Sequence, residues 1–185
     1  MPLPRNFNLY ICGADEVQHF RDKDINVALT FTQPGSIFFP DYTGIYSDDS
    51  SKFALHEFFF HDAWPGDAHS DALRMPSVKD IERIITIAKD IQRRLKDGEK
   101  VNVLCQCAAG ISRSTAAAYI ILCVLLEEWG EREAWSNVRY RREIARPNPF
   151  MVLMADEALK RQWKMIAPIK ACVDFATGYN PNKHG

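Results

Sequence analysis

Cys107 and Arg113 bracket five compact residues, Ala108-Ala109-Gly110-Ile111-Ser112, and Ser114 follows directly. A cysteine at the head of such a run is a nucleophile once it is a thiolate. Helix N-termini and nearby cations are what favour that form. An arginine carries a planar fork that grips two oxygens of a phosphate at once. A serine beside the pair can donate a hydrogen bond to sulfur and ease its departure as a leaving group. Upstream, Val101 to Gln106 is an apolar, β-branched run, and downstream Ser114 opens an alanine-rich stretch. The order is strand, tight loop, helix N-terminus. In that order the loop amides converge and the helix dipole adds positive potential. Residues 108–113 (Ala108, Ala109, Gly110, Ile111, Ser112, Arg113) are therefore the candidate phosphate cradle. Cys107, Arg113 and Ser114 are candidate catalytic residues.

The elements that must position this loop follow from periodicity and punctuation. Asn8–Gly13 and Asp24–Phe31 read as strands, with a short helix at Ala14–Phe20 between them. Phe53–His61 reads as a buried strand. Ser77 caps a helix, with Asp80 three residues on, and Ile81, Ile84, Ile85, Ala88, Ile91 and Leu95 fall on one face. Gly98 closes it. Val101–Gln106 is the strand that delivers Cys107. Helices are expected over Arg113–Trp129, stopped by Gly130, over Glu131–Ile144 and over Met151–Ala167. Arg139, Arg141, Arg142 and Arg146 read as a solvated basic face paired with Glu131, Glu133 and Glu143, with attraction of a phosphorylated substrate as the alternative. Strands alternating with helices predict an α/β protein with a parallel sheet and the site at a strand's carboxyl end.

Composition sets the bounds. A chain of 185 residues with a net charge of −1 fits one domain, spanning residues 1–185, and does not describe a polyanion-binding protein. Five cysteines without regular spacing do not form a disulfide framework, and no metal-ligand spacing stands out. No signal peptide or membrane-spanning run is visible, so the expected compartment is the reducing cytoplasm. Cys12, Cys105 and Cys123 read as small core residues.

The run Cys107-Ala108-Ala109-Gly110-Ile111-Ser112-Arg113-Ser114 resembles the signature loop of the cysteine-based protein tyrosine phosphatases, in the form used by the dual-specificity branch. Met154-Ala155-Asp156-Glu157-Ala158-Leu159, after Pro147-Asn148, is similar to bacterial members. The resemblance implies a central, mostly parallel sheet of four to five strands with helices on both sides. It implies two-step hydrolysis of a phosphate monoester, with Cys107 as nucleophile, Arg113 and the loop amides holding the oxygens, and Ser114 assisting thiolate departure. No cofactor or metal is implied. It also implies an aspartic acid that protonates the leaving oxygen. Asp62, at the end of a strand, is favoured for that role. Asp67 follows Trp64-Pro65 with one residue inserted, an imperfect match to a Trp-Pro-Asp loop, and Asp71 comes third. Asn148 is read either as a brace for the loop or as a helix N-cap. Tyr42 and Tyr46 are candidates to stack on a phosphotyrosine ring. One position departs from the family: Gln106 stands where histidine is usual, and glutamine carries no charge, so a less acidic thiol and slower turnover at low pH are expected.

Within the family that the loop resembles, phosphoinositide phosphatases place lysines between the cysteine and the arginine and RNA triphosphatases place asparagine before the arginine; this chain has neither, so the resemblance implies that both substrates are less expected. The expected partner is a phosphorylated protein or peptide bearing phosphotyrosine, with or without phosphoserine and phosphothreonine. Neither nucleic acid nor a membrane is expected as a partner. The alternative is a catalytically weak phosphatase-like module that binds phosphorylated partners, which would not require the thiol. A rhodanese-like sulfur carrier would not explain Ser112-Arg113-Ser114.

Overall fold

The computed structural model describes residues 3–36, 53–66, 72–127 and 129–172. Four strands, β1 (Phe7–Cys12), β2 (Val27–Thr32), β3 (Ala54–Phe59) and β4 (Val101–Cys107), form one sheet in the order β1-β4-β2-β3. Every pairing is parallel. β4 lies between β1 and β2, and all seven of its residues are buried. That accounts for its unbroken apolar run, since a strand buried on both faces has no polar side to show. Register aligns Cys12 with Gln106 and Phe31 with Cys107, so three carboxyl ends converge at the cysteine.

Among the described residues four α-helices follow: α1 (Val78–Lys96), α2 (Arg113–Leu125), α3 (Glu131–Arg141) and α4 (Pro149–Ala158). α1 opens with the expected capping box. Asp80 N–H donates to Ser77 Oγ, and Ser77 N–H donates to Asp80 Oδ2 at 2.9 Å. Its buried residues include Ile81, Ile84, Ile85, Ala88, Ile91 and Leu95. Each such isoleucine contributes roughly 1.5–3 kcal/mol by leaving water. α2 is buried at all thirteen positions and packs on the sheet and on α1, α3 and α4. The second sheet face is covered by a 3-10 helix, Ala14–Phe20, which places Val17 against Cys12, Ile25, Ala28 and Leu104. No helix among the described residues is long and apolar enough to cross a membrane.

Several boundaries differ from the sequence reading. β3 is an edge strand rather than a buried one, with Leu55 and Phe59 each 38% exposed. Among the described residues it has a neighbour on one side only, and Phe58 anchors it by stacking on Phe31 with ring centroids 4.9 Å apart. α2 ends at Leu125, before the left-handed residues Glu127 (φ 59°) and Trp129 (φ 71°). α3 ends at Arg141 rather than Ile144. α4 stops at Ala158, well short of Ala167, because the Asp156 carboxylate pulls the chain back. It accepts from Trp163 N–H at 2.8 Å and from Met165 N–H at 2.9 Å, and Lys160 turns with φ 54°. Arg161 then reaches inward to Glu131 and to the Cys123 carbonyl at the end of α2.

Cys12, Cys105 and Cys123 are free and buried, and burial pushes all three thiols up, away from the thiolate.

Candidate active site

β4 ends at Cys107, and the chain then turns through residues 108–112 into α2. Each of the five carbonyls in that turn is held from outside. Ala108 O accepts from Ala14 N–H at 3.0 Å. Ala109 O and Gly110 O accept from Arg142 Nη2 and Nε, both at 3.0 Å. Ile111 O accepts from Arg146 N–H at 2.9 Å, and Ser112 O from Ala116 N–H at 2.9 Å and Asn148 N–H at 3.3 Å. In a trans peptide the N–H points opposite to the C=O. The N–H groups of Ala109 to Arg113 therefore turn inward, and none meets a protein acceptor among the described residues. The loop thus offers unpaired backbone donors at the α2 N-terminus, where the helix dipole adds positive potential.

Gly110 makes the turn possible. Its φ is +68°, and an added Cβ would lie 2.5 Å from both the Cys12 carbonyl carbon and the Gly13 nitrogen. Gly110→Ala is expected to lower stability by at least the strain of a forced backbone, about 1–3 kcal/mol. An unchanged thermal unfolding midpoint would contradict this account of the loop.

Three of the four sequence-predicted catalytic side chains lie together at this loop. Cys107 Sγ is 3.2 Å from Ser114 Oγ. Arg113 is 4% exposed, and its Nη1 donates to the Phe60 carbonyl at 2.7 Å, which fixes the guanidinium plane. Arg113 Nε is buried with no hydrogen-bond partner, the only such side-chain nitrogen or oxygen among the described residues. Buried polar groups in folded proteins nearly always have partners, so this unpaired nitrogen stands out.

The fourth, Asp62, follows β3 and Phe60 at the rim. Its Oδ1 accepts from Ser112 Oγ at 2.7 Å and from Asn148 Nδ2 at 2.8 Å. Oδ2 has no donor among the described residues. Asn148 combines the two roles that the sequence left open. Its Nδ2 braces Asp62, while its Oδ1 caps α4 by accepting from Phe150 and Met151 N–H. His61 is tied to the Arg74 carbonyl, its backbone N–H donating at 2.8 Å. Asp67, Asp71, Tyr42 and Tyr46 lie outside the described residues.

Gln106 is buried, as is its partner Thr30 on β2. Thr30 Oγ1 donates to Gln106 Oε1, and Gln106 Nε2 donates to the Cys107 carbonyl at 2.8 Å. A neutral amide thus holds the peptide of the cysteine in place.

Arg142 corrects the sequence reading of a solvated basic face. Besides the two loop carbonyls, its Nη1 pairs with Glu16 Oε1 at 2.9 Å, and Glu16 Oε2 accepts from Gly13 N–H. The hydrogen bond from Arg142, with Gly13 N–H, holds the Glu16 carboxyl below its usual range. Arg141 likewise turns inward, to the Leu9 carbonyl. No local pattern marks Arg142 or Glu16, because their partners lie 32 and 126 residues away from Arg142.

No protein-family model matches the sequence, and no curated protein sequence matches it either. Solved structures do match. The human tyrosine phosphatase-like serine/threonine/tyrosine-interacting protein superposes with a TM-score of 0.56 at 18% identity, over 84% of this chain and 93% of that one. Human DUSP28 gives 0.53 at 16%, over 83% and 94%. A mouse putative dual specificity phosphatase, solved with zinc tungstate, gives 0.51 at 15%, over 90% and 91%. Such identities speak for architecture, and the chain has the fold of the cysteine-based tyrosine phosphatases in their dual-specificity form.

Proposed function

We propose that this protein is a phosphate monoester hydrolase that works through a cysteinyl-phosphate intermediate on phosphotyrosine, with phosphoserine and phosphothreonine as further substrates. The observation that carries this reading is the unpaired, buried Nε of Arg113, at the end of a turn whose N–H groups meet no protein acceptor among the described residues and which starts at Cys107, whose Sγ is 3.2 Å from Ser114 Oγ. A phosphoryl group is a ligand that satisfies all of these donors together. The tungstate in the mouse structure is an oxyanion of the same class.

In the first step the Cys107 thiolate attacks phosphorus. An S–P bond forms as the P–O bond to the leaving oxygen breaks, and Asp62 delivers its proton to that oxygen. The loop amides and Arg113 hold the three equatorial oxygens as charge redistributes. In the second step Asp62, now a carboxylate, takes a proton from water, and the water oxygen attacks phosphorus. The S–P bond breaks, and the Ser114 hydroxyl donates to the departing sulfur. The bonds from Ser112 and Asn148 to Oδ1 orient Asp62 and leave Oδ2 to carry the proton.

Rapid acid quench during turnover of an aryl phosphate, followed by peptide mass analysis, tests the reading. The expected result is one phosphoryl group on the peptide containing Cys107. Turnover without that adduct would overturn the covalent mechanism. A folded protein that binds phosphopeptide but shows neither turnover nor adduct would establish the binding module instead.

A further inference from the structure

Arg142 is the first residue past α3, and its backbone is fixed on both sides. Its N–H donates to the Val138 carbonyl at 2.8 Å, and its own carbonyl accepts from Ala145 N–H at 2.9 Å. Its side chain, 18% exposed, donates from Nη2 to Ala109 O and from Nε to Gly110 O, both at 3.0 Å, while Nη1 meets Glu16 Oε1. Ala109 O shares a peptide unit with Gly110 N–H, and Gly110 O shares one with Ile111 N–H. The cation therefore stands directly behind two of the N–H groups that the loop leaves without a protein acceptor among the described residues. A hydrogen bond to a peptide oxygen polarises the whole unit and makes its N–H a stronger donor, most of all when the bond is charge-assisted and sheltered from water. The other three loop carbonyls, of Ala108, Ile111 and Ser112, accept from neutral backbone N–H groups.

We propose that Arg142 is a positioning residue for oxyanion binding, a cation that acts on the bound phosphoryl group through the Gly110 and Ile111 amides, and that Glu16 aims it. The choice of anion rests on the phosphatase reading. Arg142 spends its fork on the two carbonyls and the carboxylate, so its effect reaches the anion through two peptide units. Glu16 ties the guanidinium to the carboxyl end of β1, because its second oxygen accepts from Gly13 N–H at 2.6 Å. The next residue, Ala14, holds Ala108 O, so the Cys107 half of the loop is gripped from one corner. The fit has no slack: a Cβ on Gly110 would lie 2.8 Å from Arg142 Nη2. Position 106 offers only a neutral amide to the Cys107 carbonyl. Arg142 thus adds, beside Arg113, positive charge behind the loop that the residue preceding the cysteine does not supply.

The test is tungstate binding to the full chain, followed by calorimetry and by amide-proton NMR well below the unfolding midpoint. Wild type is expected to bind, with the Gly110 and Ile111 amide protons moving downfield. In Arg142→Gln the dissociation constant should rise about tenfold, the scale of one nearby charge acting in a site of low dielectric. The downfield shifts should shrink at Gly110 and Ile111, while Ser112 and Arg113, whose peptide units have neutral donors, keep theirs. Arg142→Lys keeps the charge without the planar fork and should weaken binding roughly threefold. A merely structural role would lower the unfolding midpoint and leave this pattern of shifts unmoved. Wild-type affinity in folded Arg142→Gln would overturn the proposal, as would a loss of shift spread evenly over every loop amide. Should Arg142→Gln fail to fold, Arg142→Lys decides alone, and wild-type affinity and shifts in that variant overturn the proposal. If wild type binds no tungstate, the phosphate-cradle reading fails and the proposal with it. If tungstate binds with the expected dependence on Arg142 but no phosphate ester is turned over, the proposal stands and only the hydrolase reading fails.

Discussion

Cys107→Ser is expected to leave a folded protein with no measurable turnover of aryl phosphate. The change replaces one sulfur with one oxygen at a buried position, so the fold has little reason to respond. The chemistry has every reason. A serine hydroxyl is far from ionised at neutral pH, and no histidine stands beside position 107 to act as its base: Gln106 precedes it and Ser114 faces it. The donor set is built from backbone and Arg113 and survives the substitution, so the variant should still bind phosphopeptide. Parallel measurement of turnover, unfolding midpoint and phosphopeptide affinity checks all three. Retained turnover would remove Cys107 as the nucleophile.

Asp62→Asn is the second large effect. On a substrate with a poor leaving group, such as an alkyl phosphate or phosphoserine peptide, kcat should fall by about 10²–10⁴-fold, the usual worth of a placed general acid. With a good leaving group such as para-nitrophenolate the first step needs no proton, and the loss should shrink accordingly. Asparagine cannot donate a carboxylic proton, but it still accepts from Ser112 Oγ and Asn148 Nδ2 through its carbonyl oxygen. The loop should therefore keep its geometry. Asp67→Asn is the comparison: a larger loss there, with Asp62→Asn near wild type, would transfer the acid role.

The parts of this molecule that were legible beforehand are those in which neighbours along the chain are also neighbours in space. The strand–loop–helix run around Cys107 is one such case, and the Ser77–Asp80 cap with its stripe of isoleucines is another. Boundaries set by distant partners were not legible. The run Met151–Ala167 has enough apolar residues for a long helix, yet it ends at Ala158 because one carboxylate, Asp156, bonds back to Trp163 and Met165 N–H. The strand at residues 54–59 is apolar enough to be interior, but only the sheet order reveals that it lies at an edge. At the site, Cys107, Arg113 and Ser114 were readable from one motif. The brace formed by Arg142 and Glu16 was not, since arginines in a run of charges usually face water.

The way the five loop carbonyls are held has a thermodynamic consequence. Their donors come from residues 14, 116, 142, 146 and 148, so most of the loop's shape is borrowed from distant parts of the chain. An unfolded chain cannot assemble that loop, and an oxyanion that fits it binds the native state alone. Ligation and folding are then linked: at a free anion concentration one hundred times its Kd, the native state gains about 2.7 kcal/mol. The melting temperature of this protein should climb with the logarithm of added phosphate or tungstate, and a set of melting curves becomes a binding isotherm for the site.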